Sequence, residues 1–402
     1  MPATKTYMRS DYCVGRELIY GGFRASSAIR LVHLLLLAIG TCCCFAPRLF
    51  AQTSDSTSVE NKSWTATTDL KTENVNPTRT IESHSQTGNR TIDTRSIQTR
   101  GADDRMEPHQ DIERETVQVD ANTVRITTRT FGRDSNGRKT LVQVTEEEKH
   151  TLPGGNSNIV RITSNPDVNG KLQPVQREIV ETKRVSTDVE ETKTTVMLPS
   201  VNGGLVPVVK THELRKRSAN NTIESQKTTQ FPDGAGNWQV IEEHQATSRQ
   251  EGTNSTTEER VSRLDSEGKL GEVSRVVSKE SESTSGEKRS VVETYSIDVP
   301  GTTRDGSLHL VERKTSTESS SSTGERATEQ KVEQTNPGDP GSGLHVSVLV
   351  DGRMVPGPSG EQSTETIRAR DSNGNFGIVS VEKTKSDRIP TIQVQQTPAE
   401  KP

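Results

Sequence analysis

A short polar turn recurs along this chain. It reads Asp134-Ser135-Asn136-Gly137, Asp167-Val168-Asn169-Gly170, Val201-Asn202-Gly203-Gly204, Asp233-Gly234-Ala235-Gly236 and Asp265-Ser266-Glu267-Gly268. Looser copies follow at Asp305-Gly306 and Gly341-Ser342-Gly343, and Asp371-Ser372-Asn373-Gly374 closes the series. The last glycines, Gly137, Gly170, Gly203, Gly236, Gly268, Gly306, Gly343 and Gly374, are spaced by 33, 33, 33, 32, 38, 37 and 31 residues. A period of this length marks a serial architecture in which each unit is one supersecondary element. An Asn-Gly or Asp-Gly pair reverses a chain between two strands. Asn and Gly are expected at positive φ, with the Asp side chain accepting a local backbone hydrogen bond.

A second turn signal lies about half a period on, as Gly154-Gly155-Asn156, Gly252-Thr253-Asn254 and Thr284-Ser285-Gly286. Two strands and two turns therefore fill one unit, and joining such hairpins in series makes an antiparallel meander. The apolar residues suit strands. After residue 51 there are 35 Val and 15 Ile against 13 Leu, and branched side chains fit a pleated surface better than a helix. They are also sparse. Only 28% of all residues are apolar and 3% aromatic, too few for a deep core. Within each unit they flank the glycine turn, as in Val196-Met197-Leu198 and Leu205-Val206, which predicts an apolar stripe along one margin of the sheet.

The expected fold is all-β: an elongated, solenoid-like array of ~33-residue hairpin repeats forming an antiparallel meander, behind a disordered linker. The expected boundaries are a signal peptide over 1–51, a Ser/Thr-rich linker over 52–114, the repeats over 115–388 and a flexible tail over 389–402. A transmembrane barrel is disfavoured, because its strands would alternate lipid-facing apolar residues with polar ones between aromatic girdles.

The first 30 residues are basic, with Arg9, Arg16, Arg24 and Arg30, and an apolar run follows from Leu31 to Phe45. That run is short for a membrane span and suits a secretory signal cleaved near Ala51. Acylation of Cys42, Cys43 or Cys44 is the alternative. It is disfavoured because Thr41, Cys42 and Cys43 stand where a small residue is wanted. The chain's other cysteine is Cys13, so the body has none and no disulfide-linked partner is expected.

Chemistry is hard to place on this pattern. Asp134 and Asn136 resemble the opening ligands of a calcium loop, but the later oxygen ligands and the closing Glu are missing. The seven histidines after the leader keep no fixed offset from the repeat glycine and no metal-ligand spacing. Ser285-Gly286-Glu287-Lys288 matches S-x-x-K without its companion motifs. No catalytic, cofactor-binding or metal-ligating residue is assigned, and no cofactor is expected. The chain carries 51 basic and 55 acidic residues with no basic patch interleaved with aromatics, which speaks against nucleic acid as a partner.

Asp265-Ser266-Glu267-Gly268-Lys269-Leu270 and Asp167-Val168-Asn169-Gly170-Lys171-Leu172 resemble the turn of YD/Rhs-type repeats, secreted bacterial β-hairpin arrays. The likeness covers about six residues per unit, and Leu264 and Pro166 stand where that family has Tyr. It implies an extracytoplasmic β-repeat. The expected role is that of an exported, non-enzymatic structural or surface-display protein in the periplasm, on the cell surface or in the medium. The alternative is an adhesin-like module that binds a cell-surface polymer or protein through the repeat sheet or an edge strand.

Overall fold

The computed structural model describes residues 53–66 and 72–389, except 102, 104, 135, 219, 300–305, 337, 359 and 372. The expected signal peptide and all of the expected tail beyond Ile389 lie outside the described residues.

Twenty strands follow one another. They are β1 (Thr53–Ala66), β2 (Thr72–Thr87), β3 (Arg90–Arg100), β4 (Met106–Gln118), β5 (Thr123–Arg133), β6 (Lys139–Thr151), β7 (Ser157–Pro166), β8 (Leu172–Arg184), β9 (Val189–Pro199) and β10 (Leu205–Ser218). The second half comprises β11 (Thr222–Pro232), β12 (Trp238–Glu251), β13 (Asn254–Leu264), β14 (Leu270–Glu282), β15 (Lys288–Ser296), β16 (His309–Ser320), β17 (Arg326–Thr335), β18 (Leu344–Pro356), β19 (Gly360–Arg370) and β20 (Phe376–Ile389). Each pairs antiparallel with the strands before and after it, so the all-β meander is present.

Two expectations are corrected. The sheet is not an open, solenoid-like array, because β20 pairs along its length with β1, from Ser56↔Ile389 to Trp64↔Val381. Closure removes both edges and makes a barrel. Nor is the stretch from 52 to 114 a linker. β1, β2, β3 and most of β4 occupy it, held by ladders such as Ile81↔Ser96 and Ile97↔Gln110. Its Ser/Thr composition hides strands stabilised by backbone pairing on both sides.

The turns differ from the two-residue Asn-Gly form. Among the described residues only glycines and Asn221 take positive φ. In the first glycine turn Gly137, at φ 74°, donates to the Asp134 carbonyl at 2.9 Å, and Asp134 N–H donates to Arg138 O at 3.0 Å. Asp134 Oδ1 accepts from the N–H groups of Asn136 and Arg138, each at 2.8 Å. The fully described turn from Asp167 to Gly170 has the same bonds with positive φ at the glycine alone, a type I turn closed by a left-handed glycine and the longer hairpin connection. The Asp caps two N–H groups that the reversal would leave unpaired. Asp167, Asp233, Asp265 and Asp371 repeat it. At the opposite rim the hydroxyls of Ser283 and Ser321 take the acceptor role.

Every odd-to-even hairpin carries one register shift close to its turn, and no even-to-odd pairing does. The unpaired residues include Val142, Val175, Val208, Ile241, Val273, Val311 and Val379, each five positions beyond its turn glycine. A β-bulge adds local twist and bends its strand. Here the bulges form a ring near the glycine-turn rim.

Followed through the registers from β1 round to β1 again, away from the bulges, a residue returns about 22 positions further along the strand. Twenty strands with that stagger, ~4.8 Å apart and rising ~3.3 Å per residue, tilt by about 37° and enclose a backbone radius of about 19 Å. No side chains meet across such a space. Among the described residues Val144 is the one buried hydrophobe, with Thr123 and Ser164 the buried polar residues.

Candidate functional site: the lumen wall and one rim

The two faces of the sheet can be told apart. Gln226, His212, Gln245 and Arg260 are exposed, whereas their neighbours Ser225, Glu213, His244 and Glu259 are half-buried. Side chains splay on the convex side of a curved sheet and crowd on the concave side, so the second set faces the lumen. The direction of the stagger, combined with the right-handed twist of L-residue strands, puts the same set inside.

The lumen wall is polar. Across β6, β7 and β8, Glu147, Arg161 and Glu178 lie directly opposite one another. Arg161 donates to Glu147 at 2.7 Å and to Glu178 at 2.6 Å. The Glu147 bond is the main reason its guanidinium holds its proton more tightly than usual. A second cluster spans β12 and β13. His244 bonds Glu242 at 2.8 Å and Glu259 at 3.0 Å, and Arg263 reaches Glu242 at 2.8 Å. Burial pulls the His244 pKa down, but the bonds to Glu259 and Glu242 override it and raise the pKa above the ordinary histidine value. On β19 and β20, Glu365 stands opposite Glu382. Desolvation, then the like charge of Glu382, pushes the Glu365 carboxyl above its usual range.

The outer wall has two zones. Near the glycine-turn rim, outward-facing cross-strand pairs are apolar: Phe131↔Leu141, Pro166↔Leu172, Pro199↔Leu205, Pro232↔Trp238, Leu264↔Leu270 and Tyr295↔Leu310. Lys139 lies over the Phe131 ring at 4.0 Å and Lys210 over Trp238 at 4.1 Å. The apolar margin thus sits largely on the outside, and it is not buried: Leu172 is 41% exposed and Phe376 38%. These pairs form a single layer, because the next outward-facing pairs include Ser262↔Glu272 and Glu293↔Arg313. Below it the outer face is charged, as in Arg275 with Glu272 at 2.9 Å and Arg313 with Glu293 at 2.8 Å.

Among the described residues neither face assembles a catalytic group. His345 Nε2 meets Ser342 Oγ at 2.7 Å, but that hydroxyl also bonds the Asp339 carbonyl at 2.6 Å. The hydroxyl is thereby committed to its own turn, whereas a triad needs a free nucleophile and an acidic group that orients the imidazole. Among the described residues no three His, Asp or Glu side chains converge as a metal site would need. Asp134 and Asn136 lie in a turn where Asp134 Oδ1 is taken by backbone N–H groups. The turn glycines stand at the rim, at φ 74° for Gly137, 77° for Gly170, 80° for Gly203, 87° for Gly236, 81° for Gly268, 78° for Gly306, 81° for Gly343 and 88° for Gly374. Reading the turns alone misses the bulges, although a branched residue at a constant five-position offset is their signal.

Taken together these features define, among the described residues, a closed antiparallel β-barrel with a polar-walled lumen. No protein-family model matches the chain, and no curated protein does. Among solved structures it aligns with OccK5 (OpdH) of Pseudomonas aeruginosa at 11% identity and TM-score 0.42, over 84% of this chain and 98% of that one. A BenF-like porin from Pseudomonas fluorescens Pf-5 aligns at 10% identity and TM-score 0.42, over 84% and 98%. OmpF of Salmonella typhi, in complex with daunomycin, aligns at 8% identity and TM-score 0.37, over 85% and 98%.

The YD/Rhs likeness is withdrawn. A ring closed by β1 on β20 is not a serial hairpin array. The expected display or adhesin role is corrected with it. The described sheet offers no free edge for strand addition, because both ends of the meander are consumed in closing the ring.

Proposed function

We propose that the chain is a hydrated conduit of the cell envelope, passing water-soluble solutes through its lumen without a chemical step. The observation that carries this reading is the closure of β1 on β20 around an interior that no packed side chains of the described residues fill. A lumen wall of Thr, Ser and paired charges keeps that interior wet. In this reading the chain is exported, with the leader removed near Ala51. The turn glycines act as its ruler, reversing the chain at one rim so that successive hairpins add to the ring in step.

The outer wall bears on how the conduit is seated. A spanning barrel presents an apolar band of about 25 Å between aromatic girdles. The collar here is a single layer of pairs about 5 Å tall, within the depth at which interfacial elements enter a membrane. The collar is the part of the wall suited to lipid, and the charged girth below it is suited to water.

The test is the hollow itself. Small-angle X-ray scattering of purified full-length protein should give the profile of a hollow cylinder with a wall radius of about 19 Å. The profile of a filled particle, with a strand-type circular dichroism spectrum retained, would overturn the proposal.

A further inference from the structure

We infer that the bore is wide, that the described residues leave it open, and that the solute class it suits is a large hydrated polymer taken without regard to its charge. A strand ring of this size has room for a solute about 20 Å across. The inference rests on the conduit reading and deepens it. Three observations carry it.

The first is size. A backbone radius of about 19 Å, less some 6 Å of side chain on each wall, leaves a free diameter of about 25 Å. The second is the shortness of the connections. Between β2 and β20 every link has two to eight residues except 297–308. That twelve-residue link, folded out and back, reaches at most about 20 Å, so it cannot cover the bore. No other connection between these strands can reach the axis.

The third is charge. The lumen carries many charges, and several are matched across neighbouring strands, as Arg161 is with Glu147 and Glu178 and Arg263 with Glu242. Glu365 and Glu382 form an unmatched acidic spot on one sector. At 0.15 M salt a charge is screened over about 8 Å, less than the roughly 12 Å from wall to axis. A solute on the axis therefore meets little net field.

The absence of cysteine from the barrel allows a direct test. Thr194 and Thr195 are neighbours on β9, facing the lumen and the outside respectively. Full-length Thr194→Cys and Thr195→Cys proteins are treated with iodoacetamide and with polyethylene-glycol maleimides of increasing size, and labelling is read by mass on the peptide holding residue 194 or 195. Polymers narrower than the free bore, about 20 Å across, should label both sites within about three-fold. Polymers wider than the whole backbone ring, above about 40 Å, should label the lumenal site at least ten-fold more slowly than the outer one. Anionic and cationic small maleimides should differ by less than three-fold at the lumenal site.

A lumenal site reached by iodoacetamide but closed to the narrower polymers would overturn the inference and leave the conduit standing. So would a ten-fold preference for one charge. Equal labelling of both sites at every polymer size would mean that no lumen exists, and would overturn the conduit as well.

Discussion

Val59 of β1 stands directly opposite Ser386 of β20, although the two are separated by nearly the whole described chain. Its ladder leaves no strand with an unpaired side, and an unpaired side is what invites association between sheets. Replacing Val59 by Pro removes an N–H from a strand bonded on both flanks. Light scattering after size exclusion should show concentration-dependent association in Val59→Pro and a monodisperse parent. Identical monodisperse profiles would count against closure.

Gly170 sits at φ 77°, and a Cβ placed on it would meet nothing within 4 Å, so its requirement is conformational rather than steric. Gly170→Ala should cost about 1–2 kcal/mol, the left-handed penalty for an L-residue. Gly271 of β14 is equally open but lies at ordinary φ, and Gly271→Ala should be neutral or slightly stabilising. Urea denaturation of the pair decides the point; equal effects would show that the turn geometry is wrong.

Arg161 holds two lumenal carboxylates, but its side chain is 39% exposed, so solvent screens much of the interaction. Arg161→Gln should destabilise by about 1 kcal/mol or less in 20 mM salt. The loss should shrink in 0.5 M salt, where exposed charges are screened. A loss independent of salt would point to packing instead.

The His244 pKa is raised in the folded barrel. A raised folded value means that its stabilisation is complete below the unfolded pKa of about 6.5 and is lost as pH rises through the folded value. Lys227 stands opposite on β11 and Val261 on β13, so the neighbouring carboxylates, not those partners, sustain the charge. His244→Gln should lower Tm at pH 6 and have little effect at pH 9.

Glu365 carries the reverse penalty. Its carboxyl is pushed up beside Glu382, so ionising it near neutrality works against folding. Glu365→Gln should raise Tm at pH 7, and the gain should vanish near pH 4, where the carboxyl is protonated in either state. A gain that persists at pH 4 would rule out the electrostatic cause.

The meander is legible in the chain because Val, Ile and Thr dominate between turns. Closure is not. β1 reads TSDSTSVENKSWTA, with too few apolar residues to signal a strand, and it is held by ladders to partners at the two extremes of the ring. Single-sequence pattern reports which residues prefer a pleat, not which distant edge will meet them. The turn type departs from its sequence signal for a related reason. Asn136-Gly137 fits a two-residue reversal, but Asp134 Oδ1 supplies acceptors that favour the longer turn. The lumen clusters are invisible in sequence because the residues facing His244 belong to separate strands and meet only once the register is known.

The bulge ring ties diameter to copy number. Duplicating one unit of about 33 residues would not lengthen this molecule, because a closed ring has no end to extend. It would insert two strands, widening the ring by about 4 Å, and one more bulge would raise the stagger at the glycine-turn rim. In such a lineage, gain or loss of a unit would resize the aperture in discrete steps, and homologues with different repeat numbers should sort by the calibre of what they admit.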